Sequence, residues 1–105
     1  MKKIILSLSL MASAPAVANT SGNDTYCNQL ATTAETLMDA RQQGVPMSTA
    51  IGIVNKVKDK DLRGTMRNMV MQAYEAHRYM TAEVQQITIG NFRDEWHLAC
   101  LRSFM

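Results

Sequence analysis

Cys27-Asn28-Gln29-Leu30-Ala31-Thr32-Thr33-Ala34-Glu35-Thr36-Leu37-Met38-Asp39-Ala40-Arg41-Gln42-Gln43-Gly44-Val45-Pro46 is the stretch that decides the fold. Cys27, Leu30, Ala31, Ala34, Leu37, Met38 and Arg41 recur at steps of three and four, which lines them along one face of an α-helix. The pattern predicts a helix from Asp24, acting as N-cap, to about Gln43. Gly44 ends it, and Pro46 prevents it from resuming.

Three further segments keep the helical period. Ser48 to Lys58, capped by Ser48 or Thr49, turns Ile51, Val54 and Val57 inward. Asp61 to Arg78 carries the stripe Leu62, Met66, Met69, Val70, Ala73, Tyr74 and His77. Thr81 to Ser103 offers Val84, Ile87 or Thr88, Asn91 or Phe92, Trp96, Ala99 and Cys100 as its inner face. Gly90 in that last segment marks a bend or a close helix contact. Between the second and third segments, Lys56 to Asp61 alternates in charge and reads as a solvated turn. No segment reads as a strand. The expected fold is all-α, a compact bundle of about four helices joined by short loops.

Upstream of the first helix the chain has the parts of a cleavable secretion signal. Lys2 and Lys3 precede an uncharged run from Ile4 to Ala12, and Pro15 leads into Ala16-Val17-Ala18. The apolar run is well short of the roughly 20 residues that span a bilayer. Cleavage after Ala18 divides the chain into a signal peptide, 1–18, and a single helical domain, 19–105. Asn19, not a cysteine, follows the cleavage point, which excludes a lipoprotein. The chain counts 11 Lys and Arg against 9 Asp and Glu. Lys2 and Lys3 leave with the signal, so the mature domain is balanced and has no basic patch for nucleic acid.

Cys27 and Cys100 are the only two cysteines and stand near the ends of the mature domain. An exported chain meets an oxidising compartment, and two cysteines allow a single pairing. The loop so closed is about 73 residues long, for which chain entropy gives roughly 4 kcal/mol. A reactive Cys100 beside His97 would need a third, orienting group, and no such group stands at a readable spacing.

Residue types that carry chemistry are thinly spread. Met38, Met47, Met66, Met69, Met71, Met80 and Met105 are many for a short domain, and Met66 and Met69 share a helix face suited to Cu(I). Methionine equally fills irregular cores and adaptable partner surfaces. His77 and His97 lie on different helices, without the spacing of a zinc site. Asp94 and Glu95 are adjacent, so their side chains diverge by about 100°. Neither a nucleophile elbow nor a glycine-rich phosphate loop is present. These readings assign no catalytic residue, no cofactor and no metal, and the expectation is a protein that is not an enzyme.

Two polar groups stand out as candidates for partner binding. Arg41 and Gln42 sit at the helix end before Gly44, where a rigidly held loop could recognise a partner. Tyr74, Arg78 and Tyr79 have the residue types that anchor interfaces. Each also has a structural explanation, as Arg41 next to a helix C-terminus illustrates.

The order Cys27, Met38-x-x-Arg41-Gln42-x-Gly44-Val45-Pro46-Met47-Ser48, Ala73-Tyr74, Phe92, Trp96 and Cys100 resembles small signal-bearing proteins of unknown function from proteobacterial genomes and their prophages. The resemblance covers nearly all of the mature domain, and the Arg-Gln-x-Gly turn is its most specific element. It implies a Gram-negative periplasm and carries over no activity. In size, export and bridge the chain is also similar to periplasmic acid-stress chaperones and to immunity proteins, though it shares no motif with either.

The expected function is therefore a non-enzymatic periplasmic protein-binding module of inhibitor, immunity or exclusion type. The alternatives are an acid- or envelope-stress chaperone and a methionine-based copper binder. The expected partner is another protein of the periplasm or envelope, with no nucleic acid and no membrane span after signal cleavage. An apolar stripe left exposed by so small a bundle could equally make a homodimer.

Overall fold

The computed structural model describes the backbone from Ala14 to Met105 and the side chains from Gly22 onward. Residues 1–13, which hold most of the expected signal peptide, lie outside the described part. The described residues form four α-helices and no strand: α1 (Ala14–Gln42), α2 (Met47–Val54), α3 (Lys60–Glu75) and α4 (Ala82–Ser103). The fold is the expected all-α bundle, closed by one disulfide.

Helix α1 is the spine. Its Cys27, Leu30, Ala31, Ala34, Leu37 and Met38 are all buried, as their spacing requires. The helix begins upstream of Asp24, which is therefore an interior residue and not the expected cap. Its end follows the glycine rule closely. Gly44 adopts φ +85°, Val45 N–H donates to the Ala40 carbonyl (3.0 Å) and Gly44 N–H to the Arg41 carbonyl (3.1 Å). That pair of bonds is a Schellman motif with Gly44 at the left-handed position.

Helix α2 is shorter than its pattern suggests. It starts directly after Pro46, and no side chain caps it, neither Ser48 nor Thr49. It stops at Val54, after which the chain tightens through Lys56 N–H to Ile53 O and Val57 N–H to Val54 O. Two arginines of α3 hold that exit. Arg63 donates to the Val57 carbonyl (2.8 Å) and Arg67 to the Asn55 side chain (2.6 Å). Helix α3 is capped by Asp59, two residues before the expected Asp61, and Asp59 accepts from Leu62 N–H at 2.9 Å. Helix α4 follows directly on Thr81, where its segment was expected to start, and Thr81 caps it by accepting from Val84 N–H.

The core joins α1 to Ala50 and Val54 of α2, to Met69, Val70 and Ala73 of α3, and to Ile89, Phe92 and Cys100 of α4. Both α3 and α4 pack against α1, whereas they scarcely touch one another. The expected inner face of α4 is turned by about one residue. Val84, Ile87, Asn91 and Ala99 are exposed, while Ile89 and Phe92 are buried and Trp96 is half-buried. The bridge sets this phase. Cys100 must meet Cys27, with Cα atoms 5.5 Å apart, and Trp96, Phe92 and Ile89 follow from it at helical steps.

Gly90 makes no close helix contact, because a Cβ at that position would meet nothing within 4 Å. Gly90→Ala should therefore raise the unfolding free energy by about 0.5–1 kcal/mol, through helix propensity and a less free unfolded chain. A urea melt reads this as a higher midpoint at unchanged slope.

Candidate functional site

The five residues singled out for partner binding converge at one end of the bundle. They fasten the α3–α4 connection to the end of α1. Gln42 is at the centre and is 0% exposed. Its Nε2 donates to the His77 carbonyl (2.8 Å) and contacts the Met38 sulfur (3.6 Å), and its Oε1 accepts from Tyr79 N–H (2.8 Å). One side chain thus satisfies both backbone polarities of the connection, as a neighbouring strand would. On one side Arg41 Nε donates to the Ala76 carbonyl (3.1 Å). On the other, Arg78 Nε donates to the Gln42 carbonyl (3.1 Å).

This clasp explains why α3 ends at Glu75 instead of continuing to Arg78. Ala76 is extended (φ −71°, ψ 150°), and the carbonyls of Ala76 and His77 turn to α1. His77, expected on the α3 stripe, lies outside the helix, is exposed and stacks edge-on with Tyr79 at 4.9 Å. Gly44 is required twice over at this place. It supplies the positive φ, and a Cβ there would stand 2.8 Å from the Arg78 guanidinium. The cations of Arg41 and Arg78 sit at the negative end of α1, which favours both.

Tyr74 completes the clasp. Its hydroxyl donates to the Val45 carbonyl (2.7 Å), and the Arg41 guanidinium lies 5.5 Å from its ring centre. Burial raises the phenol above its ordinary value of 10.0, and the nearby Arg41 opposes that rise. A raised value means that the folded state holds the proton more tightly than the unfolded state. The contribution to stability is complete below about pH 10 and falls as pH climbs past that value. Tyr74→Phe should cost about 1 kcal/mol at neutral pH through the lost bond to Val45. It should also lack this part of the alkaline decline, seen by comparing urea midpoints of the two proteins between neutral and alkaline pH.

The clasp leaves unequal surfaces free. Gln42 is wholly enclosed, Arg41 and Tyr74 are half-buried, and Arg78 and Tyr79 reach the surface. Tyr79 forms one end of a groove of about 590 Å³ between α3 and α4. Gln72 and Glu75 of α3, with Ala76 just after it, form one wall, Thr88, Asn91, Phe92 and Glu95 of α4 the other, and Met38 of α1 lies beneath. The groove exists because both helices dock on α1 without closing on each other. Beside it Met71, Met80, Val84 and Ile87 are exposed, Ile87 by 56% and Met80 by 90%.

Apart from Tyr79 the sequence reading did not select the groove. Its lining mixes core residues such as Met38 and Phe92 with ordinary polar positions, and only the docking angles of two helices on a third bring them together.

Met69 is fully buried in the core, and Met66 packs against that core beside an apolar pocket with Leu30, Val57 and Leu62. Cys100 is bonded to Cys27, so it is no reactive thiol. Glu95 lines the groove and its neighbour Asp94 does not. Among the described residues no three His, Cys, Asp or Glu side chains gather in a metal-sized group, and no helix is long and apolar enough to cross a membrane. No protein-family model, curated protein or solved structure matches the chain.

Proposed function

We propose that the protein is exported to the periplasm and acts there, without chemistry of its own, by binding another protein in the manner of an inhibitor, immunity or exclusion factor. One observation carries this reading. Val84 and Ile87 in the first turns of α4, and Met80 just before it, are exposed beside a groove, while the buried core is complete without them. Large apolar side chains grouped at a concave surface mark interaction sites more often than side chains scattered singly. The bridge supports an oxidising compartment. The basic start and the Ala16-Val17-Ala18 run support cleavage of the signal.

The test is a cross-linked pull-down of the tagged protein from its host's periplasmic fraction, at neutral and acidic pH. One stoichiometric protein recovered at both pH values is the expected result. A broad set of clients held only in acid would replace this reading with a stress chaperone, and recovery of the bait alone would overturn it. Mass measurement of the exported form should give an N-terminus at Asn19.

A further inference from the structure

The α3–α4 groove has a chemical character that narrows what could fill it. Glu75 stands on one wall and Glu95 on the other, and no Lys or Arg lines the space between. Among the described residues the single ion pair is Arg93 with Glu35, at 3.8 Å, so neither groove carboxylate is neutralised by a neighbour. Of the two arginines nearest in sequence, Arg78 turns its Nε to the Gln42 carbonyl and Arg93 faces Glu35, and neither lines the groove. Val84 and Ile87 share a face of α4 with Asn91 and Glu95 by three-four spacing, so an apolar edge runs into the acidic one. On α3, Met71 stands one turn before Glu75 and is likewise exposed.

Two helices that diverge over a third leave a trough that a further helix can enter, ridges into grooves. An apolar stripe bordered by fixed charge is what an amphipathic helix of opposite charge recognises. We propose that this groove receives a basic amphipathic helix of another protein, its apolar side against Val84 and Ile87 and its lysine or arginine side chains against Glu75 and Glu95. The proposal rests on the protein-binding reading above and names the surface and the chemistry of the partner.

The test uses the purified, oxidised mature protein and a labelled synthetic amphipathic helix of leucine and lysine, with a control peptide in which glutamate replaces lysine. Fluorescence anisotropy should show the lysine peptide binding, the glutamate peptide binding at least about tenfold more weakly, and added salt weakening the complex. E75K/E95K and Ile87→Asp should each weaken the lysine peptide about tenfold while leaving the thermal midpoint near that of the wild type, because all three side chains are exposed.

Equal binding to the wild type and to E75K/E95K overturns the proposal. So does a wild-type homodimer that E75K/E95K dissociates, since the occupant would then be a second copy. A host protein captured equally by the wild type and by E75K/E95K overturns the groove assignment alone and leaves the protein-binding reading standing. Charge-dependent peptide binding with no host protein captured upholds the groove and overturns the dedicated-partner reading.

Discussion

The double substitution C27A/C100A should lower the unfolding free energy by about 4 kcal/mol, and the thermal midpoint by roughly 15–30 °C. The bridge joins α1 to α4 across 73 residues of chain, which is nearly the whole described domain. Breaking it leaves the folded contacts of Ile89 and Phe92 in place but restores to the unfolded chain the freedom that the link removes. For a domain of this size, with a net stability of about 5–15 kcal/mol, that is a large fraction. Paired urea melts of the oxidised and reduced wild type provide the check without a mutation. A shift below about 1 kcal/mol would mean that α1 and α4 remain associated in the unfolded chain.

Gln42→Leu should cost about 2–4 kcal/mol, although it replaces one side chain of moderate size by another. Leucine fills most of the space but strands the His77 carbonyl and the Tyr79 N–H, both of which Gln42 satisfies. The decisive measurement is amide hydrogen exchange at Tyr79. Protection in the wild type and its loss in Gln42→Leu, with the α1 amides still protected, would locate the damage in the clasp. Gln42→Glu keeps the acceptor for Tyr79 but sets a carboxylate against the His77 carbonyl. It should be destabilising at neutral pH and recover part of the loss in acid, where the protonated carboxyl can donate. Because Tyr79 also lines the groove, loss of the clasp should disturb that end of the candidate binding surface.

How much of this was legible in the sequence depended on how far apart the interacting residues lie. The end of α1 was readable because Gly44 and Pro46 act on their immediate neighbours, and the buried face of α1 was readable because one periodic stripe dominates it. Arg41, Gln42, Tyr74, Arg78 and Tyr79 could be picked out as unusual. Their mutual arrangement could not, because it joins segments 29–37 positions apart through hydrogen bonds to backbone. The boundary of α3 failed for the same reason. Residues 76–78 have no local stop signal and leave the helix because the carbonyls of Ala76 and His77 accept from α1 and the Arg78 side chain donates to it.

The sequence alone determined the all-α class, the cysteine pairing and the number and order of the helices. Those properties follow from local periodicity, from turn chemistry and from there being only two cysteines. The tertiary structure decided which of two apolar registers of α4 faces inward, where α3 stops and that a groove separates α3 from α4. Val84 and Ile87 are as apolar as Ile89 and Phe92, so composition could not choose between the registers. The bridge to Cys27 makes the choice by turning one face of α4 onto α1, and it thereby leaves the other face open beside the acidic groove.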